Sequence, residues 1–263
     1  MKRFFNDVRK YYNYEVRAAK TALKTEVAGS FLNWIWWVLD PLFTMAIYYV
    51  VFGLIFQSKV KYFTAFLFIG LTMWNFFSRN VQQSVKLVKK NRSIIAKVYI
   101  PKFVLLLTNM MVNGFKMLIA WGIVAVLMIA LRVELSWYIF AFFPIMLVLI
   151  IVTFGLSTIM MHFGVFIEDL SNVISLLFRM LYYATGIFYS IEDRVGKHYP
   201  NAAKILYNYN PMALVITDMR NALLYKTGPN WKALLIWAVI GIILGMIGVR
   251  TIYKNENSYV KVI

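Results

Sequence analysis

The first 28 residues place apolar and basic residues on two different helical faces. Apolar residues recur at steps of three and four from Phe4 to Val27, and basic residues seven apart, from Arg3 to Lys24, share another face. A basic amphipathic helix of this kind favours the plane of a membrane surface, with a solvated helix as the alternative. The pattern therefore predicts an interfacial helix over residues 2–28.

Beyond this helix the chain is a series of long apolar runs separated by charged segments. Each run comes close to the ~20 residues that an α-helix needs to cross a bilayer. Trp34, Trp36 and Trp37 open the first run, as expected of an interfacial aromatic belt. The pattern predicts an all-α integral membrane protein with six transmembrane helices. The predicted spans are 34–56, 63–78, 102–131, 137–162, 172–187 and 231–250.

The segment 188–230, between the fifth and sixth spans, is too apolar for a plain exposed loop. Gly186, Pro200 and Pro211 would interrupt any continuous helix, and unpaired backbone is not tolerated in contact with lipid. Short re-entrant helices packed on protein would satisfy both constraints. A folded external cap is the alternative.

Composition supports a membrane protein. Of 263 residues, 61% are hydrophobic and 15% are charged, against roughly half and a quarter in soluble domains, so residues 1–263 are predicted to form one membrane domain. The net charge of +17 lies mostly in loops, which favours anionic lipid and polyanionic cargo over nucleic acid.

The distribution of basic residues predicts the orientation of the chain. Segments 1–33, 79–102 and 250–263 hold 17 Lys and Arg, whereas the segments on the other side hold nine. Because short cytoplasmic segments carry the excess of basic residues, both termini are predicted to be cytoplasmic.

Catalytic motifs are absent from the sequence. It contains no cysteine, no G-x-x-x-x-G-K-[ST] phosphate loop, no HExxH and no G-x-S-x-G, and its two histidines are far apart. We therefore expect no enzymatic activity, no metal site and no cofactor in this chain, and any ATP hydrolysis would need a separate subunit.

The segment 79–101 is basic and contains no acidic residue. Its charges could merely set the topology, or its second half could be a docking helix for a cytoplasmic partner, with apolar residues supplying the packing face. The candidate docking residues are Lys89, Asn91, Arg92, Ile94, Ile95, Lys97, Val98 and Tyr99.

Polar and aromatic residues within the spans suggest a transport path. Asn109, Asn113 and Lys116 share one helical face, and Arg179 lies in the fifth span. Each could line a pore or make polar contacts between helices. Aromatic residues gather near the end of the fifth span, where they could form an interfacial belt or an exit whose rings stack on sugars. They include Tyr182, Tyr183, Phe188 and Tyr189.

Several motifs, in order, resemble the permease subunit of bacterial ABC exporters for lipid-linked polysaccharides, of the O-antigen (Wzm-like) and teichoic-acid (TarG-like) type. The likeness covers nearly the whole chain. The motifs include Leu39-Asp40-Pro41-Leu42, Gly70-Leu71-Thr72-Met73-Trp74-Asn75, Asn91-Arg92-Ser93, Lys97-Val98-Tyr99-Ile100-Pro101 and Tyr209-Asn210-Pro211-Met212.

The resemblance implies a permease subunit in the bacterial cytoplasmic membrane that pairs with a second copy and with two ATPase subunits, which bind ATP and Mg²⁺. The helix at 2–28 would be a gate, and 79–101 would couple to the ATPase. The cargo would be a polymer on an undecaprenyl-pyrophosphate-type lipid, which Arg17, Lys20 and Lys24 would attract by charge. An ABC permease for a drug or small lipid is the alternative, and a membrane enzyme or non-ABC carrier is a third interpretation.

Overall fold

The computed structural model describes residues 2–29 and 31–262, and this part of the chain is helical almost throughout. The α-helices are α1 Lys2–Val27, α2 Trp36–Tyr48, α3 Phe63–Lys90, α4 Arg92–Ile95, α5 Lys102–Ala130, α6 Phe142–Phe166, α7 Leu170–Ala184, α8 Pro200–Tyr209, α9 Pro211–Leu224, α10 Trp231–Lys254 and α11 Glu256–Val262. Helix α2 continues as a π-helix to Ile55, 3₁₀ turns precede α2 and α6, and a π-helical turn spans Glu192–Gly196.

Four helical segments of the described chain are long and apolar enough to cross a membrane. They coincide with the first, third, fourth and sixth predicted spans, and they are Trp36–Ile55, Lys102–Ala130, Trp137–Phe166 and Trp231–Lys254. The protein is therefore a multi-pass membrane protein.

The other two predicted spans are built differently. Helix α3 does not end near residue 78 but continues to Lys90, so its apolar half and the start of the predicted coupling segment form one helix. Helix α7 has 15 residues, about 22 Å of rise, which is less than the ~30 Å hydrocarbon core.

Helix α1 lies along α5 and is mostly exposed. Only Glu15 and Ala19 are buried in it. Near its start the Phe4 ring is 4.9 Å from that of Phe103, and near its end Glu26 forms an ion pair with Lys116. The predicted amphipathic helix thus contacts the third span at both of its ends.

Helix α3 forms the centre of the core and packs between α5 and α6. Gly164 on α6 meets the backbone of Val85, with room for no side chain: a Cβ there would lie 2.0 Å from the Val85 carbonyl oxygen. Helices α6 and α10 also approach each other closely, because a Cβ on Gly155 would lie 2.5 Å from the Gly241 carbonyl oxygen. Small residues therefore set the spacing of the helix bundle.

The segment 188–230 contains two short helices, each with a proline as its first residue, where the missing N–H costs no hydrogen bond. Asn210 caps α9, its side chain accepting from the backbone N–H groups of Met212 (3.0 Å) and Ala213 (3.3 Å). Most of α9 is buried, whereas α8 buries no residue. Prolines and the cap thus divide this segment into an inner and an outer helix.

Arg220 anchors α9 in the core. Its guanidinium donates to the carbonyl oxygens of Phe66 (3.0 Å), Gly186 (2.8 Å) and Ile187 (2.9 Å), and it lies 3.4 Å from the centre of the Phe66 ring. Gly186 has φ of +73°, which glycine adopts without strain. One buried cation therefore joins α9, α3 and the turn after α7.

Candidate functional site

A short exposed turn follows α3. The Asn91 amide closes α3 by donating to the Leu87 carbonyl at 2.8 Å, and α4 then supplies a single helical turn. Ile94 is 40% exposed and Val98 56% exposed, and exposed basic residues flank them. We call residues 91–98 the docking turn. Apolar side chains exposed together in a basic rim are typical of a surface that binds a partner protein.

The other candidate docking residues lie in this turn or directly beside it. Arg92 and Lys97 are exposed, Lys89 is half-buried, and Ile95 packs on the hydrophobic core. The candidate docking residues therefore form one continuous segment, and Ile95 attaches that segment to the helix bundle.

Tyr99, directly after the docking turn, links three parts of the chain. Its hydroxyl accepts from Arg3 Nη2 at 2.8 Å and donates to Glu256 Oε1 at 2.8 Å. Arg3 also lies 4.3 Å from the Tyr253 ring centre, and the Tyr253 hydroxyl donates to Asp7 at 2.6 Å. We call these five residues the Tyr99 network. It connects the docking turn to α1, α10 and α11.

A cavity of about 440 Å³ lies between the end of α1 and helices α2, α3 and α5. Two ion pairs line it: Lys116 with Glu26 at 2.6 Å, and Arg79 with Asp40 at 3.4 Å. We call it the ion-pair cavity. Of the predicted path residues, Lys116 and Asn113 line it.

Asn109 and Asn113 make polar contacts between helices. Both donate to Asn80 Oδ1, at 3.2 Å and 2.9 Å, and Asn113 also donates to Gln83 Oε1 at 3.0 Å. Within one chain these amides join α5 to α3. The structure thus favours the second of the two roles expected for them.

A second cavity, of about 950 Å³, lies next to the start of α3. Phe52 and Phe188 stack in its wall with ring centres 4.4 Å apart, and Tyr189 also lines it. Basic residues complete the wall, among them Lys59 and Arg194. We call it the aromatic pocket. It lies at the opposite end of α3 from the docking turn, about 42 Å away along a 28-residue helix.

The four predicted exit aromatics are not equivalent. Phe188 is only 4% exposed and is surrounded by Tyr48, Phe52 and Tyr182, so it presents little of its ring to the pocket. Tyr183 is 61% exposed on the outside of α7, and Arg179 is exposed on the same helix.

The basic residues Arg17, Lys20 and Lys24 are all exposed on α1. On the buried side of the same helix, Glu15 is 1% exposed, and its Oε1 has no hydrogen-bond partner among the described residues. Burial raises the pKa of Glu15 to about 7. The sequence analysis did not single out Glu15, although an acid on the apolar face of an amphipathic helix is a visible signal.

Comparison with known proteins now decides the family, since the ABC-2 type transporter family matches residues 18–224. The chain belongs to the ABC-2 type transporter family. This ABC-2 permease chain is 29% identical to an O-antigen export system permease protein RfbA of Klebsiella pneumoniae over 92% of its length and 91% of the relative. It is also 25% identical to the O-antigen export system permease protein RfbA of Myxococcus xanthus, over 90% of its length and 91% of the relative.

The contacts that join distant parts of this ABC-2 permease were not visible in its sequence. Glu256 lies 157 residues from Tyr99, and Glu26 lies 90 residues from Lys116. Asp40 was the one acid within a predicted span, but nothing in the sequence indicated Arg79 as its partner. Family membership indicates a non-catalytic membrane component of a transporter.

Proposed function

We propose that this chain is the permease subunit of an ATP-driven exporter that moves a lipid-linked polysaccharide of O-antigen type across the cytoplasmic membrane. The observation that carries the proposal is the match, over nine-tenths of both chains, to proteins named as O-antigen export permeases. Teichoic acid, the other cargo implied by the resemblance, has no comparable support.

The proposed topology has six spans with both termini in the cytoplasm. The first half of α3 and the short α7 would complete the four long apolar helices, and the excess of basic residues in 1–33, 79–102 and 250–263 supports the orientation. In this orientation the docking turn is cytoplasmic and the aromatic pocket is external. Helix α9, buried in protein, would be the re-entrant part of 188–230.

The docking turn would bind the ATPase subunit. Ile94 and Val98 offer apolar contact area, while Lys97 and Arg92 offer charge. The functional unit would contain two copies of this chain and two ATPase subunits, which bind ATP and Mg²⁺. Movement of the docking turn would reach α1 directly, because Tyr99 contacts Arg3 and Glu256.

The cargo would meet basic residues first and aromatic residues last. Arg17, Lys20 and Lys24 would attract the pyrophosphate of an undecaprenyl-type carrier lipid to the cytoplasmic surface. The aromatic pocket offers ring faces and cationic donors, which suit sugar hydroxyls. The large unburied surface of α2, which buries no residue within the chain, would face the second copy or the channel between the copies.

A deletion strain of the source organism, complemented with tagged variants, tests the proposal. We expect deletion to remove the polysaccharide from the cell surface while lipid-linked polymer accumulates inside, and we expect the wild-type chain to co-purify with an ATPase. The double variant Ile94→Asp, Val98→Asp should lose both the ATPase and export. The double variant Asn201→Asp, Asn208→Asp, which adds the same two negative charges on the exposed helix α8, should retain both.

Two outcomes would contradict the proposal. Surface polysaccharide that is unchanged in the deletion strain would exclude this cargo. A functional chain that purifies without any ATPase would exclude the exporter class.

A further inference from the structure

The ion-pair cavity combines two rigid cations with two acids on more loosely held elements. Arg79 and Lys116 lie on α3 and α5, which the Asn80–Asn113 hydrogen bond holds together. Glu26 lies in the last turn of the exposed α1, and Asp40 lies on α2, which buries no residue. The cations therefore have a fixed position, whereas the acids can move away with their helices.

Lys116 and Arg79 differ in how strongly a neighbouring anion stabilises their positive charge. The Lys116 side chain is 18% exposed, so its ammonium would be left poorly solvated without Glu26. Arg79 is 45% exposed and its planar guanidinium can bind two oxygens of a phosphate at once. An incoming anion that reached both cations would replace both carboxylates.

The remaining wall suits a phosphate carried on a lipid. Asn75 and Thr72 line the cavity and offer amide and hydroxyl donors. Trp36 and Trp37 stand at its side on α2, the residue type that marks the membrane interface. A phosphate group in the cavity could therefore keep its hydrocarbon chain beside the apolar, unburied surface of α2.

We propose that the ion-pair cavity is the binding site for the diphosphate headgroup of the lipid-linked substrate, held by Arg79 and Lys116 after displacement of Asp40 and Glu26. This inference rests on the proposed function and deepens it. Loss of the Glu26–Lys116 pair removes the ionic contact between the end of α1 and α5, and loss of the Asp40–Arg79 pair removes the ionic contact between α2 and α3. Headgroup binding thus weakens the attachment of the two elements that close the cavity.

The acids and the bases make opposite contributions to affinity, and this difference can be tested. Arg79→Gln or Lys116→Gln removes a charged partner of the phosphate and should weaken binding about tenfold or more. Asp40→Asn or Glu26→Gln removes a competing carboxylate and should strengthen binding severalfold. A cavity that is only structural predicts that all four variants weaken binding together or leave it unchanged.

The measurement uses the purified full-length chain in mild detergent, with the ATPase subunit if it co-purifies. The probe is geranylgeranyl pyrophosphate, titrated against tryptophan fluorescence, with geranylgeraniol and inorganic pyrophosphate as comparison probes. The control Lys226→Gln breaks a similar ion pair, with Glu134, that lies outside the cavity, and it should bind like the wild type. Melting temperatures of all variants check folding, and Arg79→Lys provides a milder change if Arg79→Gln unfolds.

Binding by the wild type that needs both the prenyl chain and the pyrophosphate, with the opposite effects of acid and base variants, would support the proposal. Unchanged affinity in Lys116→Gln and Arg79→Gln, or weaker binding in Glu26→Gln and Asp40→Asn, would overturn it. Equal affinity for inorganic pyrophosphate would overturn the lipid source of the anion. Binding is measured without export, so a failure of the polysaccharide assignment in the deletion strain would be seen separately.

Discussion

The contact between Gly164 and Val85 allows a sharp prediction about stability. Gly164→Ala places a Cβ 2.0 Å from the Val85 carbonyl oxygen, where ordinary contact begins at 3.4 Å, and also 2.7 Å from the carbonyl carbon and 2.8 Å from the Cα. All three atoms belong to the backbone, so no side-chain rotation relieves the overlap. Helices α3 and α6 must separate by more than 1 Å.

The expected change in the free energy of unfolding is the difference between two opposing contributions. Overpacking of a tight core costs about 1–3 kcal/mol, and a contact with rigid backbone belongs near the upper end. Replacement of a helical glycine by alanine stabilises the helix by about 1 kcal/mol. We therefore expect Gly164→Ala to lower the free energy of unfolding by about 2 kcal/mol, which corresponds to a fall of about 4–8 °C in Tm for a chain of this size.

Gly122→Ala is the matched control, because it makes the same substitution in α5 where a Cβ would meet no atom within 4 Å. The assay is the fraction of monodisperse protein that survives heating in mild detergent. We expect a lower melting temperature for Gly164→Ala and an unchanged or higher one for Gly122→Ala. Equal shifts in the two variants would refute the close approach of α3 and α6.

Three further predictions concern single polar groups. Tyr99→Phe removes the hydroxyl that joins Arg3 to Glu256, and it should reduce export while ATPase co-purification stays at the wild-type level. Glu15→Gln should raise the melting temperature at pH 8 but not at pH 5, because the cost of burying the ionised carboxylate is fully present above its raised pKa of about 7 and is relieved as the pH falls towards the ordinary pKa of glutamate. Arg220→Met leaves three carbonyl oxygens without their donor, at about 1–3 kcal/mol each, and should greatly reduce the yield of folded protein, whereas Arg220→Lys should retain part of it.

Each of these predictions has a result that would contradict it. Loss of ATPase binding in Tyr99→Phe would mean that the hydroxyl contributes to binding of the ATPase rather than to coupling the docking turn to α1. A stabilisation by Glu15→Gln that is the same at both pH values would show that the carboxyl group does not titrate in the folded chain. A normal yield of Arg220→Met, measured by fluorescence-detected size exclusion, would show that packing of α9 into the core does not require the Arg220 guanidinium.

Local patterns in the sequence predicted the helices well, because they depend on spacing along one helix. The apolar steps from Phe4 to Val27 correspond to α1, and the run opened by the tryptophans corresponds to α2. The sequence analysis did not predict that α3 continues a dozen residues beyond the second predicted span. The apolar run stops at Arg79, but Val81, Val85 and Val88 continue the helical spacing and keep the helix in the core.

The candidate sites could be predicted only where they are continuous in sequence. The docking turn is one segment, so its residues were found together. The hydrogen bonds of the ion-pair cavity and the Tyr99 network join residues 39 to 246 positions apart, and nothing in a single sequence sets the rotation of one helix against another. For the same reason the sequence could not show that Phe188, one candidate for an exit lining, is largely covered by the packing of Phe52 and Tyr48 against its ring.

The position of Arg220 limits the order in which this sequence can change during evolution. A Cβ at Gly70 would lie 2.3 Å from Arg220 Nη2, and three carbonyl bonds prevent the guanidinium from moving aside. Any lineage that gains a larger residue at position 70 must therefore already have lost the arginine, while loss of the arginine alone leaves the carbonyls unpaired. Each single substitution at these two positions is therefore expected to be deleterious, so related chains should keep Gly70 and Arg220 together or replace both residues.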